Sequence, residues 1–321
     1  MWHRFFICGT REAGSIEVNC HCSSFQFLWN KNIDVTVDIT TKTCYLPIVI
    51  KRITTKQTCR RAGRMEQEDR RIYLIRRLLE EKEEYSDVEI PQDEDGQKRL
   101  LRGLMNVRMP KEAGDEFLRI QDEYLQEEQK RNGIVDVAAF IPLEKGICLW
   151  KGDITRLNAD AVVNAANSGM TGCYRPGHTC IDNCIHTFAG IQMRKKCAEI
   201  MQIQGHEEET GQAKITPGYN LPCRYVIHTV GPVVQGTLTP RHEQLLSSCY
   251  QSCLELAAEY GLESIAFCCI STGVFMFPEK RAAEIAVQTV REFLKRNTSV
   301  RRVIFNVFKD QDEQIYRELL G

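Results

Sequence analysis

The stretch ICLWKGDITRLNADAVVNAANSG, residues 147–169, determines the class of fold. It contains two short apolar runs, 147–150 and 161–163, which are rich in β-branched or aromatic residues and are typical of buried strands. Each run is followed by a loop rich in Gly, Asp and Asn. Short strands without polar alternation are typical of parallel sheets covered on both faces. The stretch therefore predicts the beginning of an α/β domain.

The rest of the chain continues this alternation of strands and helices. Further strand-like runs lie at 225–227, 265–270 and 303–308, and helical patterns lie at 181–204, 242–260, 278–296 and 312–320. Strands that alternate with helices predict an α/β sandwich with a mainly parallel sheet. In such sheets the ligand crevice lies at the carboxyl ends of the strands. The loops that follow the strands are therefore the candidates for the functional site.

The composition excludes several classes of protein. The chain has 321 residues, of which 43% are hydrophobic and 26% are charged, so it is long enough for a substantial core. The formal net charge of −1 does not favour nucleic acid or an anionic membrane as a partner. No apolar run reaches the roughly 18 residues of a membrane span, and no signal peptide is expected. The fifteen cysteines therefore predict reduced thiols in the cytoplasm, available for packing or for a metal.

Charge and periodicity divide the chain into three zones. Residues 1–64 hold ten Lys and Arg against four Asp and Glu, and their Cys20-His21-Cys22 lacks a second ligand pair, so a poorly structured tail is expected. Met65 is a candidate translation start, which would make that tail a mis-assigned segment. Residues 65–133 have apolar spacings that predict a helical extension. Residues 134–321 form the predicted α/β domain.

Three loops carry side chains suited to a nucleotide. Asp153 follows the first strand, and its carboxylate can accept hydrogen bonds from an exocyclic amine such as that of adenine, although Gly-Asp here is also a common turn. Asn164 and Asn167, separated by two alanines, can reach a polyhydroxylated ligand. Residues 271–275 precede a helix with Pro278 near its first turn, and their backbone amides form a candidate anion cradle.

A metal-ligand pattern lies between the second loop and the next helix. Cys173, His178 and Cys180 form a C-x4-H-x-C triplet, and thiolate and imidazole are both zinc ligands. Three protein ligands leave one coordination position open, as in catalytic zinc sites. Cys180 precedes a helix N-terminus, which favours a thiolate. The alternative is that ordinary buried cysteines flank a loop histidine.

Taken together, these motifs resemble a known family. Gly-Asp-Ile-Thr at 152–155, Asn-Ala-Ala-Asn-Ser at 164–168 and Ile-Ser-Thr-Gly-Val-Phe at 270–275, in this order, resemble the macrodomains, which bind ADP-ribose. The segment around the triplet, Gly-Cys-x4-His-x-Cys-Ile-Asp-Asn at 172–183, is similar to the zinc-dependent branch, which also has a helical amino-terminal extension. The resemblance covers about residues 134–321. It implies a three-layer α/β/α fold with a mixed central sheet.

The resemblance also implies roles for individual residues. Asp153 would bind the adenine amine, Ile154 would lie beside the ring, and Asn164 and Asn167 would lie near the distal ribose. The remaining residues implied to line the ADP-ribose site are Cys180, Ile181, Asp182, Ser271, Thr272, Gly273, Val274 and Phe275. Many macrodomains have Gly where this chain has Met276, so the turn below the distal ribose is expected to be less open here.

Family likeness implies a function as well. The expected activity is zinc-dependent removal of mono-ADP-ribose from protein side chains, with Asn167 orienting the ribose and Asp182 acting as general base or positioning a water. Asp182 could instead be a first-turn acid that complements the helix dipole. His186, at i, i+4 from Asp182, could touch the site, but a structural histidine with local hydrogen bonds is the expectation. The alternative function is a reader module that binds ADP-ribose without cleaving it.

Overall fold

The computed structural model of the chain describes residues 65–296 and 298–321. Met65–Gly321 forms one compact unit. The expectations for residues 1–64, including that for Cys20-His21-Cys22, lie outside the described residues. The boundary near residue 134 stays a prediction, because both of the segments that it separates belong to the same unit.

Among the described residues, 65–133 contain helices and no strand, whereas helices and strands alternate from residue 134 onward. The helices are α1 (Gln67–Leu79), α2 (Glu94–Val107), α3 (Asp115–Asn132), α4 (Ile181–Ala189), α5 (Ile191–Gln204), α6 (Pro240–Glu259), α7 (Glu279–Leu294) and α8 (Asp310–Leu320). The strands are β1 (Val135–Asp136), β2 (Ile147–Lys151), β3 (Leu157–Asn158), β4 (Ala161–Ala166), β5 (Ala213–Pro217), β6 (Tyr225–Val230), β7 (Ser264–Phe267) and β8 (Arg302–Val307).

A six-stranded mixed sheet forms the centre of the fold. Its strand order is β2-β8-β7-β4-β6-β5, and every neighbouring pair is parallel except β5 and β6. Helices α4 and α5 pack on each other, and α6, α7 and α8 pack in succession, so helices cover the sheet. The predicted fold class, a macrodomain-type α/β fold with a mixed sheet, is confirmed. The sequence patterns missed β5, an edge strand that ends at Pro217, where a missing N–H is tolerated.

The helix predicted over 181–204 is two helices. Gly190 has a φ of +100° and ends α4, and the chain turns directly into α5. A Cβ atom at Gly190 would lie 2.7 Å from Nε2 of Gln121 on α3. Glycine therefore permits both the left-handed backbone and the close approach of the neighbouring helix.

The helices of residues 65–133 have an apolar cluster of their own. Its buried members are Leu74, Ile75, Leu78, Leu101, Leu104, Met105, Phe117, Ile120, Tyr124 and Leu125, together with Ile191 from α5. Helix α2 also contacts α4, which begins directly after the metal-ligand pattern. The extension therefore packs close to the candidate site. In the described part of the chain, no helix combines the length and the apolar character needed to cross a bilayer.

Candidate functional site

The loops singled out from the sequence lie along one edge of the sheet. The strands β2, β8, β7, β4 and β6 are parallel, so their carboxyl ends point the same way. In sheet order, the loop after β2 carries Asp153, the loop after β7 carries residues 271–275, and the end of β4 carries Asn167. The fold therefore brings residues that are distant in sequence into one row.

Asp153 has one carboxylate oxygen bound within its own turn. Its Oδ1 accepts hydrogen bonds from the backbone N–H of Thr155 at 3.0 Å and from the Thr155 hydroxyl at 2.7 Å. Its Oδ2 has no hydrogen-bond partner among the described residues, and Asp153 is half-buried, so this oxygen is available to a ligand. Ile154 is only 2% exposed and belongs to the core. Its predicted place beside the adenine ring stays a prediction.

Two asparagines hold the carboxylate of Asp182. Asn164 Nδ2 donates to Asp182 Oδ1 at 2.8 Å, and Asn167 Nδ2 donates to Asp182 Oδ2 at 3.1 Å. Asn167 Nδ2 also lies 3.2 Å from the Gly172 carbonyl, which accepts from it. Burial raises the pKa of Asp182 to about 6, although the two amide hydrogen bonds oppose this shift. The carboxylate is thus dry and fixed in orientation.

Asn164 is buried within the fold. It is 0% exposed, because β4 continues to Ala166 and position 164 lies within the strand. In this structure its side chain supports Asp182, and its predicted place near the distal ribose stays a prediction. Asn167, one residue beyond the strand, is half-buried and remains the candidate ribose contact.

His228 continues this network, a role that no sequence motif indicates. Asn164 Nδ2 lies 3.1 Å from His228 Nδ1, and the Thr216 hydroxyl lies 2.9 Å from His228 Nε2. Because the Asn164 amide is a donor, Nδ1 accepts and the proton is assigned to Nε2, which donates to Thr216. Burial lowers the pKa of His228 to about 4, so the ring is neutral.

His186 does not make the local hydrogen bonds that the sequence predicts. Both of its ring nitrogens are buried and have no hydrogen-bond partner among the described residues, so the expected local hydrogen bonds are absent. Its Nε2 lies 3.6 Å from Asp182 Oδ1, and burial lowers the pKa of His186 well below its usual value. A neutral imidazole therefore lies beside the carboxylate.

The three predicted metal ligands converge. The donor atoms of Cys173, His178 and Cys180 all lie within 4.8 Å of one another, and Cys173 Sγ is 3.5 Å from His178 Nδ1. With Zn–S of ~2.3 Å and Zn–N of ~2.0 Å, tetrahedral zinc places a sulfur and a nitrogen roughly 3.5 Å apart. In the described part of the chain, no fourth His, Cys, Asp or Glu belongs to this group. The donor set and its spacing therefore fit zinc with one open position.

Cys180 also caps helix α4. Its Sγ accepts a hydrogen bond from the backbone N–H of Asn183 at 3.5 Å, which lowers the pKa of the thiol. Burial outweighs this effect and raises the pKa of Cys180 to about 12, and Cys173 and Asp182 raise it further. The helix terminus alone therefore does not produce the thiolate that was expected. A zinc ion would have to displace the proton, which couples metal binding to proton release.

A second group of possible ligands, His186, Cys197 and His228, is a weaker candidate. All three residues are buried, and their donor atoms lie within 4.8 Å of one another. His228 already uses both ring nitrogens, with Asn164 and Thr216, and Cys197 Sγ is 3.8 Å from His228 Nε2. Hydrogen bonding accounts for His228 without a metal, whereas His186 has no hydrogen-bond partner among the described residues.

The loop after β7 has the form of an anion cradle. Ser271 and Met276 have φ values of +65° and +55°, and the turn between them is closed by the Met276 amide, which donates to Gly273 O at 3.0 Å. Thr272 is engaged within the loop, because its amide and its hydroxyl both donate to Cys269 O. The amides of residues 273–275 donate to no group among the described residues. Three successive free N–H groups are suited to a phosphate.

Met276 departs from the glycine that many macrodomains have. It takes up a left-handed backbone, which glycine would adopt without strain. Its side chain is exposed.

Sequence reasoning missed one exposed aromatic at this edge. Phe308 directly follows β8 and is 78% exposed. The adjacent Val307 carbonyl accepts from the amide of Gly152, so Phe308 lies next to the Asp153 loop. Phe308 falls within the predicted strand 303–308. Strand β8 ends at Val307, and only this position one residue past the strand end distinguishes Phe308 from the core aromatics. An exposed aromatic beside Asp153 is suited to stacking on a base.

These features define an α/β sandwich with a ligand edge made from the loops after β2, β4, β7 and β8. Comparison with known proteins identifies the family. The family model described as "Macro domain" matches residues 163–286. A protein named protein-ADP-ribose hydrolase from Treponema medium is 58% identical over 261 residues, which cover 80% of this chain and all of that protein.

Two further relatives agree. A protein-ADP-ribose hydrolase from Staphylococcus aureus strain MSSA476 is 47% identical over 77% of this chain and 93% of its own. The crystal structure of a Trypanosoma brucei macrodomain in complex with ADP-ribose is 29% identical, with a TM-score of 0.55, covering 68% of this chain and 95% of the other. The chain belongs to the macrodomain family.

Proposed function

We propose that this protein is a zinc-dependent hydrolase that removes mono-ADP-ribose from modified protein side chains. One observation carries the proposal: the donors of Cys173, His178 and Cys180 converge on the loop after Asn167, and Asp182, bound to Asn167, lies in the helical turn that follows Cys180. The hydrolase names of relatives that are 58% and 47% identical over most of the chain support the activity. The zinc dependence rests on the donor geometry alone.

The order of loops along the sheet suggests how ADP-ribose would lie. The Asp153 Oδ2 atom would accept from the adenine amine, with Phe308 against the base. The free amides of residues 273–275 would bind the pyrophosphate. The distal ribose would then reach Asn167 at the end of β4, near Cys180, Ile181 and Asp182. Adenine, pyrophosphate and ribose thus follow the strand order β2, β7, β4.

The reaction breaks the bond between the anomeric carbon of the distal ribose and a side-chain atom. Its transition state resembles an oxocarbenium ion, so a correctly placed nucleophile and a nearby negative charge are favourable. Asp182, oriented by Asn164 and Asn167, would position the attacking water and accept its proton. Held by Cys173, His178 and Cys180, zinc would supply a Lewis acid for a water or for the ribose hydroxyls.

The test combines metal analysis with product release. Purified protein should contain close to one zinc per chain, and it should release free ADP-ribose from a defined mono-ADP-ribosylated protein. Substrates with serine, acidic and asparagine linkages would identify the linkage that is cleaved. Full turnover after removal of zinc by a chelator would refute the zinc dependence. Tight ADP-ribose binding without release from any linkage would instead identify a reader module.

The cellular location is part of the same proposal. The described residues contain ten cysteines, and all ten are free thiols. The proposed zinc ligands are two thiols, Cys173 and Cys180, and one imidazole, His178, and the two cysteines can bind zinc only when they are reduced. We therefore propose a cytoplasmic location.

Asp153→Asn tests the adenine assignment. Asparagine keeps an oxygen for the two Thr155 contacts but replaces the free oxygen with an amide. We expect calorimetry to show ADP-ribose affinity about 10-fold lower, because a hydrogen bond to a charged acceptor is lost. Zinc content should not change. Wild-type affinity in this variant would refute the assignment.

Phe308→Ala tests the stacking assignment. Loss of one stacked aromatic costs ~1–3 kcal/mol, so ADP-ribose affinity should fall roughly 5- to 150-fold. Stability should change little, because Phe308 is exposed. Ile203, an exposed apolar residue at 88%, provides the control as Ile203→Ala, and this change should leave affinity unaltered. Equal affinities of the two variants would contradict the assignment.

A further inference from the structure

Helix α2 of the extension makes direct contact with the metal loop, residues 173–180. We infer that Arg102 and Asn106 on this helix are positioning residues that hold the His178 arm of the loop and thereby set the affinity for the metal. The inference rests on the proposed function, because it assumes that Cys173, His178 and Cys180 bind zinc.

Arg102 holds the backbone of the metal ligand itself. Its Nη2 donates to the carbonyl of His178 at 2.8 Å and to Asn183 Oδ1 at 3.1 Å. The guanidinium lies 5.8 Å from the centre of the Phe188 ring on α4. A single charged head group therefore joins the extension, the metal loop and the helix that Cys180 caps.

Asn106 holds the residue before His178. This side chain is buried, its Oδ1 accepts from the amide of Gly177 at 2.9 Å, and its Nδ2 donates to the Thr187 hydroxyl at 2.8 Å. Gly177 has a φ of +65°, and no heavy atom lies within 4 Å of where its Cβ would be. The turn at Gly177 is therefore held by hydrogen bonds rather than by packing: the one to Asn106, and the one that the His178 amide donates to Arg175 O at 3.2 Å.

The other end of the loop is held from the domain side. Asn183 Nδ2 donates to the carbonyls of Cys173 and Arg175 at 3.3 and 3.0 Å. Arg194 on α5 donates to the Asn106 carbonyl at 2.6 Å and stacks 4.2 Å from the Tyr174 ring. The two cysteines thus lie near anchors in the α/β domain. The backbone at His178 has one hydrogen bond within the loop, from its amide to Arg175 O at 3.2 Å, and its carbonyl is held by Arg102 on α2.

The contact between α2 and the backbone at His178 affects how tightly the loop can bind a metal ion. A ligand whose backbone is not held must be ordered when the ion binds, and that entropy cost reduces affinity. Partners outside the ligand shell typically change metal affinity 10- to 100-fold when they are removed. Arg102 and Asn106 would therefore act on zinc affinity and leave the adenine end of the site unchanged.

The test measures zinc affinity by competition with a chromophoric chelator in the full chain. Arg102→Met should lower zinc affinity about 10- to 100-fold, with ADP-ribose affinity, measured on zinc-loaded protein, within about 2-fold of wild type. Arg99→Met, at an exposed position on the same helix, is the matched control and should not change zinc affinity. Arg102→Gln and Asn106→Ser are independent variants in case the methionine variant does not fold.

The outcomes separate the two proposals. If wild-type protein binds zinc and a folded Arg102 or Asn106 variant binds it equally tightly, the positioning role is overturned and the proposed function stands. An equal loss of zinc and ADP-ribose affinity, with a lower melting temperature, would show a general structural role and also overturn it. If wild-type protein itself binds no zinc, both proposals fail.

Discussion

Replacing Cys180 with alanine is expected to abolish zinc binding and to reduce hydrolysis roughly 100-fold or more. The change removes one of three converging ligands, which is a larger loss than that of a supporting contact. Alanine also removes the cap on α4, at a cost of about 1 kcal/mol in the free energy of unfolding. Cys180→Ser keeps an oxygen cap and should recover that stability without recovering zinc. Metal analysis, release of ADP-ribose and thermal unfolding are the three measurements.

The control for this prediction is another cysteine. Cys253 is buried on α6 and lies outside both groups of possible ligands, so Cys253→Ala should retain zinc and activity. Undiminished hydrolysis by zinc-free Cys180→Ala protein would refute a catalytic metal at this triplet. Loss of zinc from both variants would indicate unfolding rather than loss of a ligand.

Asp182→Asn is expected to reduce kcat by about 10²- to 10⁴-fold, the range for loss of a general base. Zinc content should remain near that of wild type, and ADP-ribose should still bind. The change also has a structural cost. Asn164 and Asn167 both donate to Asp182, so an amide at this position leaves one donor unpaired, at about 1–3 kcal/mol in the free energy of unfolding.

The same variant tests the simpler role of Asp182. If the residue only complements the α4 dipole, its loss should add about 0.3–1 kcal/mol to that structural cost and leave kcat unchanged. Asp115→Asn is the matched control, since Asp115 is an exposed acid in the first turn of α3. It should show only that small stability effect. A wild-type kcat in Asp182→Asn, with the protein folded, would exclude catalysis by this carboxylate.

Much of the fold could be predicted because its signals are local. Strands at 147–150, 161–163, 225–227 and 303–308 all correspond to strands of the sheet, since continuous apolar runs need burial on both faces. The run at 265–270 predicted a longer strand than β7. The strand ends at Phe267, before the loop that carries residues 271–275. Cys268 and Ile270, which follow Phe267, are buried too, so hydrophobicity did not mark the strand end.

The convergence of Cys173, His178 and Cys180 could be predicted for a similar reason. All three lie within eight residues on a single loop, so the distance between them along the chain limits their distance in space. The supporting residues could not be found in this way. Arg102 and Asn106 precede the triplet by about seventy residues, and nothing in their local pattern distinguishes them from other polar residues of an amphipathic helix.

The two asparagines of Asn-Ala-Ala-Asn show where sequence reasoning ends. Position 164 lies inside β4 and position 167 lies beyond it, so one amide supports Asp182 from the core and the other faces the site. Sequence alone determined the α/β alternation, the polar loops that follow the strands, and the spacing of Cys173, His178 and Cys180, because each depends on neighbouring residues. The tertiary structure alone decided which side chains face the ligand edge, because strand ends and contacts between distant helices depend on packing of the whole chain.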